Sequence, residues 1–90
     1  MIVVAGHLRV AASDRERLLL LSREAMVRAR STPGCHDFVV AADPLEPDRV
    51  HVYERWRDRA TMLAFRGDGP DAEMLGLIVE VKVEELTVAR

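Results

Sequence analysis

The sequence predicts an α+β fold of the ferredoxin-like β-α-β-β-α-β type, an antiparallel sheet with its helices on one face. Four stretches have the composition of strands, namely residues 2–10, 35–42, 48–57 and 77–88. Two helical patterns lie between them, over residues 13–30 and 58–65. The third strand carries large side chains on both faces, which this chain's own helices cannot cover together. We therefore expect helices on one face and a second copy of the chain on the other.

Composition limits the chain to one domain, residues 1–90, of ordinary globular character. Hydrophobic residues make up 49% of the chain and charged residues 31%, with a formal net charge of −2. This charge gives no general attraction to nucleic acid. No apolar run approaches the roughly 20 residues of a membrane span. One cysteine and no leader-like N-terminus lead us to expect a cytoplasmic protein without a membrane partner.

The first strand and first helix follow the sequence patterns of their types. Val4 and Leu8 share one face of the strand, and His7 lies on the other. Ser13 and Glu16 have the spacing of a capping box, which predicts that the helix starts there. Its apolar positions recur at helical spacing and end before Pro33-Gly34: Leu18, Leu21, Ala25 and Ala29. Glu24 and Arg28 are expected to pair along the helix.

The second half of the chain is organised around the third strand, which we expect between the first two strands in the sheet. Alternation divides its residues between two faces: Val50, Val52, Glu54 and Trp56 on one, and Arg49, His51, Tyr53 and Arg55 on the other. Asp58 is the predicted N-cap of the second helix. We expect this helix to end at residues 67–69, which contain two glycines. Pro70 is placed to open a short helical piece over residues 71–76.

Three short motifs give the chain a family resemblance. They are Pro33-Gly34-Cys35, the turn with Asp43-Pro44 and Asp48-Arg49, and Glu54-x-Trp56 at the end of the third strand. With the element order, they resemble the antibiotic biosynthesis monooxygenase domain family from Met1 to about Phe65. The resemblance implies a dimeric α+β barrel with a small pocket between sheet and helices. Some members oxidise quinols or polyketide phenols with O2 and without metal or flavin, and a related branch degrades haem.

The chain also departs from the family at positions where relatives carry polar residues. Many members have a histidine in the second helix where this chain has Phe65. Quinol-oxidising relatives can use an asparagine and a tyrosine at positions that match Val52 and Met62 here, so that only Trp56 of that pattern remains. The haem-degrading branch has an asparagine where this chain has His7. Without the helical histidine, haem iron would lack its axial ligand.

We predict a pocket between the sheet and the second helix. His7 is the candidate base, because imidazole titrates near neutrality and the first strand lies beside the third. Its alternative role is that of a hydrogen-bonded structural histidine. Trp56 is either a stacking surface for a flat substrate or an anchor of the sheet–helix core. The remaining predicted substrate-binding residues are Phe65, Val50, Val52 and Met62.

Three functions are compatible with this sequence. The first is a cofactor-independent monooxygenase that oxidises a quinol-like or polyketide-like aromatic with O2. The second is a non-catalytic homodimer that binds a small aromatic or apolar ligand, and the third is a haem-handling protein. The three histidines have no metal-ligand spacing, so we expect no metal cofactor and a thermal transition that chelators leave unchanged.

Overall fold

A computed structural model describes residues 1–67, 69 and 71–89 of the chain. It contains the following elements: β1 (Ile2–Val10), α1 (Arg15–Arg30), β2 (Cys35–Ala42), β3 (Arg49–Trp56), α2 (Arg59–Arg66), α3 (Ala72–Leu77) and β4 (Ile78–Thr87). The four strands form one antiparallel sheet in the order β2-β3-β1-β4. The predicted fold class is confirmed, with β3 between β1 and β2.

The helix starts agree with the predictions at α2 but not at α1. A turn of 3-10 helix, Ala12–Asp14, precedes α1, and Asp14 occupies its N-cap position without a side-chain hydrogen bond. The predicted capping box is therefore wrong, because Ser13 lies inside that turn. Asp58 caps α2 as predicted, since its Oδ1 accepts the Thr61 backbone N–H at 2.8 Å. This hydrogen bond and those from the Thr61 hydroxyl and the Arg57 side chain lower the pKa of Asp58 to about 2.

Asp71 is the N-cap of α3, one position before the helix that it was predicted to begin. Its carboxylate accepts hydrogen bonds from two backbone N–H groups in the first turn of α3, those of Glu73 and Met74. Pro70, predicted to open this helix, and Asp68, predicted to help end α2, lie outside the described residues.

The helices pack on one face of the sheet and bury its apolar residues there. Trp56, Val50, Met62 and Leu18 are fully buried in this layer. One cluster joins the ends of β1 and β3 to α1 and α2: Ile2, Val4, Ala29, Phe38, Trp56 and Met62. A second cluster, Val10, Leu18 and Val50, lies under the start of α1. Burial on this scale is what stabilises α1 and α2 against the sheet.

The opposite face of the sheet, called the open face below, carries the other half of each strand. Its β3 residues include His51 and Tyr53, as the alternation predicted. Three large apolar side chains on it are 38–48% exposed: Val39, Tyr53 and Leu86. His7 also lies on the open face, directly opposite His51 in the β1–β3 register, and the two ring centroids are 6.3 Å apart.

Gly6 is a close-approach point between β1 and β4. Its φ angle is +152°, a value that L-residues rarely adopt. A Cβ at this position would lie 2.0 Å from the carbonyl oxygen of Lys82 and 2.7 Å from the Cα of Val83. Only glycine therefore fits between these two strands at this point.

Candidate functional site

A cavity of about 500 Å³ lies between α1, the sheet and the α2–α3 segment. Its walls combine apolar and charged side chains: Leu21, Ser22, Glu24, Ala25 and Arg28 from α1, Phe38, Val40 and Glu54 from the sheet, and Phe65, Arg66, Gly69, Asp71 and Met74 from the last third. A concave, largely apolar space with a few charged groups is the usual form of a small-molecule site.

Glu54 is the buried charged group of this cavity. Its side chain is only 10% exposed, and its Oε1 accepts a hydrogen bond from Trp56 Nε1 at 2.9 Å. Burial raises the pKa of Glu54, while the Trp56 hydrogen bond and the positive charge of Arg66 oppose that rise. Arg66 Nη2 lies 3.9 Å from Oε1. In the described part of the chain, no hydrogen bond occupies Oε2, so this oxygen is available to a ligand.

Two aromatic rings, with a third packed behind them, form the wall beside Glu54. The Phe65 ring centroid lies 5.2 Å from that of Trp56 and 5.6 Å from that of Phe38. Phe65 and Phe38 line the cavity, whereas Trp56 lies behind them with no exposed surface. The guanidinium carbon of Arg28 lies over the Phe65 ring at 4.8 Å from its centroid. A flat ring would find aromatic contacts on this wall and a carboxylate next to it.

The predicted substrate-binding residues separate into two groups in the structure. Phe65 lines the cavity. Trp56, Val50 and Met62 are completely buried, so they support the cavity from beneath and offer no surface to a ligand in this conformation. Val52 is half-buried in β3, between Gly6 and Val40, and does not line the cavity.

The predicted position of His7 in this pocket is wrong. Residues 2, 4, 8 and 10 of β1 point toward the helices, so residue 7 points to the open face. The sheet itself therefore lies between His7 and the cavity. Adjacency of β1 and β3 was predicted correctly, but neighbouring strands bring residues together only when they share a face.

The cavity carboxylate was missed as a reactive group, although its signal was in the sequence. Glu54 alternates with Val50, Val52 and Trp56, so it had to point into the apolar layer. A carboxylate at such a position is buried and its pKa rises, which is the usual sign of a functional acid or base.

Other reactive groups contribute less to this site. Burial raises the pKa of the Cys35 thiol, which disfavours its reactive thiolate. Residues 1–67, 69 and 71–89 contain no group of three or more metal-ligating side chains placed to hold a metal ion. Over the same residues, no helix has the length and apolar content needed to cross a membrane.

Known proteins resemble the chain in sequence and in structure. A family model described as antibiotic biosynthesis monooxygenase matches residues 1–69. An uncharacterised protein of Synechocystis sp. is 34% identical over 61 residues, which are 68% of this chain and 42% of that protein. The chain thus spans less than half the length of this relative.

Two solved structures illustrate the likeness of fold. A proposed antibiotic biosynthesis monooxygenase from Nitrosomonas europaea superposes with a TM-score of 0.82 at 18% identity, covering 100% of both chains. A second protein proposed to have this function, from Chloroflexus aurantiacus, gives a TM-score of 0.78 at 25% identity and covers 99% of this chain and 93% of its own. The fold is therefore shared well beyond the residues that the family model matches.

Proposed function

The chain belongs to the antibiotic biosynthesis monooxygenase family, and on this premise we propose that it oxidises a quinol-like or polyketide-like aromatic with O2 in the cavity beside Glu54. Family membership supports a monooxygenase-like function in general terms. The aromatic wall of Phe38 and Phe65 supports the substrate class, because flat rings stack favourably on such surfaces. Neither metal nor flavin is part of the proposal.

The chemistry begins with a proton transfer to Glu54. An anthrone-type substrate has a methylene group next to conjugated rings, and removal of one of its protons gives a carbanion spread over those rings. The anion passes electrons to O2 and forms a carbon–oxygen bond, and the resulting hydroperoxide loses water. The CH2 group and O2 thereby become C=O and H2O, so that O2 supplies both the oxygen atom and the oxidising equivalents.

The observation that carries this proposal is the buried carboxylate in an apolar cavity. A carboxylate with a raised pKa is a stronger base than one in water. Trp56 donates a hydrogen bond to one of its oxygens, and in the described part of the chain the other oxygen has no hydrogen bond that would compete with a substrate proton. An apolar wall also excludes water from the substrate anion, which would otherwise be protonated again.

Oxygen consumption with an anthrone-type or dihydroxynaphthalene substrate tests the proposal. The purified chain should accelerate it without added metal or flavin, and Glu54→Gln should lower kcat roughly 100-fold or more. Glutamine keeps the size of Glu54 and an acceptor for Trp56. Glu16→Gln, on the exposed surface of α1, is the matched control and should leave kcat unchanged. Unchanged turnover in Glu54→Gln would contradict the assignment of the base.

A non-catalytic ligand-binding role is the second candidate. It is favoured by Phe65, Val52 and Met62, which are apolar where catalytic relatives carry polar residues. In that case the chain binds flat aromatic ligands while oxygen consumption stays at the rate of the substrate alone. Binding without turnover in the wild-type protein would decide for this role.

The proposal includes a homodimer that covers the open face. Val39 and Tyr53 are paired across β2 and β3 on this face and are 38% and 40% exposed. Leu86 on the same face is 48% exposed. Contiguous exposed apolar side chains usually mark an interface. Obligate interfaces commonly bury upwards of roughly 2,000 Å² in total. A cytoplasmic location also belongs to the proposal, since the single thiol, Cys35, suits a reducing compartment.

A further inference from the structure

Arg28 has an unusual position at the mouth of the cavity. It lies on α1, exposed to solvent, with its guanidinium stacked on the Phe65 ring at 4.8 Å. The sequence predicted an ion pair with Glu24, one helical turn earlier, but the described part of the chain contains no ion pair to Arg28. The side chain therefore lies against Phe65, where it lines this cavity and also a neighbouring pocket between α1 and α2.

Apart from Glu54 and Glu24, the other charged groups at the cavity are already engaged. Arg66 binds Glu85 at 2.7 Å, and the Asp71 carboxylate accepts the backbone N–H groups at the start of α3. Glu24 lines the cavity beside Arg28 and forms no ion pair to a described residue. A ligand in the cavity would therefore be attracted or repelled by three charges, Arg28 and Glu24 at the mouth and Glu54 deeper in the cavity.

We propose that Arg28 selects aromatic substrates that carry a carboxylate. The inference rests on the proposed function, because it names the substrate class of the same cavity. The contact with the Phe65 ring keeps the guanidinium charge beside the aromatic wall. A planar carboxylate can accept two parallel hydrogen bonds from a guanidinium, which a neutral group of the same shape cannot match. Glu24, and Glu54 when it is ionised, oppose this attraction because they carry the same charge as the ligand carboxylate.

Two ligands of the same shape test the inference by fluorescence titration, anthracene carboxylate and the uncharged anthracene carboxamide. At low ionic strength the wild-type protein should bind the carboxylate about 5- to 10-fold more tightly, the range of a charge-assisted contact at a partly exposed site. Arg28→Gln should abolish this preference, and Glu24→Gln should increase it. Arg23→Gln removes the same charge from an exposed position of α1 outside the cavity and should leave the preference intact.

The wild-type protein alone gives a second measurement that depends on no variant. The preference should fall toward unity at about 1 M salt, where the Debye length is about 3 Å. Equal affinities for the two ligands at low salt, or a preference that survives Arg28→Gln, would overturn the inference and leave the proposed oxidation of neutral aromatics standing. Failure of both ligands to bind would show that the cavity does not bind flat aromatic molecules, and the inference would then fail together with the proposed function.

Discussion

A single methyl group at Gly6 should push the edge strand β4 away from β1. The position lies in β1, paired with Val52 on one side and Val83 on the other. In Gly6→Ala the new Cβ would meet the Lys82 carbonyl oxygen at 2.0 Å, whereas ordinary van der Waals contacts begin at 3.4 Å. The contacting atoms are backbone, so no side-chain rotation relieves the overlap.

The cost has two parts. A side chain held at φ +152° is strained by about 1–3 kcal/mol. Moving β4 away by more than 1 Å also lengthens hydrogen bonds of the β1–β4 ladder, each with a net contribution of about 1 kcal/mol. Together these give a loss of about 3–5 kcal/mol, a large fraction of the roughly 5–15 kcal/mol that stabilises a domain.

Urea denaturation of Gly6→Ala beside Gly76→Ala measures this effect with an internal control. Gly76 lies in α3, and a Cβ there meets nothing within 4 Å. The same substitution should therefore stabilise the protein at residue 76, by roughly 0.5–1 kcal/mol, through the loss of backbone freedom in the unfolded chain. A free energy of unfolding for Gly6→Ala within about 1 kcal/mol of wild type would refute the reasoning.

Two further predictions concern the buried carboxylate and the open face. Glu54 has a raised pKa in the folded state, so the folded chain holds this proton more tightly than the unfolded chain, and stability should fall as pH rises through the folded pKa. Glu54→Gln should remove that fall in urea titrations between about pH 4 and 8, and an unchanged pH profile would show that the carboxylate is solvated. Tyr53→Glu should shift the chain from dimer to monomer in sedimentation experiments, because it places a charge in the apolar part of the open face. Leu20→Glu, on the exposed side of α1, should leave the dimer intact, and equal behaviour of the two variants would locate the interface elsewhere.

The strands were predictable because their side-chain period is two and one face of each is buried. Val50 and Trp56 had to share a face, and the structure buries both. The start of α1 was harder to predict, since the capping-box pattern of Ser13 and Glu16 competes with a 3-10 turn at the same residues. Local patterns of four residues do not decide between such alternatives, because packing of the following helix fixes where the chain turns.

The site was only partly predictable because it depends on faces and on distances between elements. Phe65 was placed in the cavity from its position in α2, and it lines the cavity. His7 was placed there from the adjacency of two strands, although its own alternation assigned it to the open face. Arg28 gave no signal beyond an expected pair with Glu24, since its stacking on Phe65 joins residues that are far apart in the sequence.

The spacing of Glu54 and Trp56 explains why a buried carboxylate is compatible with a stable fold here. Residues two apart on a strand share a face, so the indole N–H of Trp56 donates to Glu54 Oε1 at 2.9 Å. An unsatisfied buried carboxylate would cost several kcal/mol, and this hydrogen bond, with Arg66 nearby, offsets part of that cost. Trp56 must itself be fully buried to hold this position, which is why it supports the site without touching the cavity. If Glu54 is the base of the proposed reaction, Trp56 is therefore its positioning residue, and the two residues of the motif act together on a single face of the sheet.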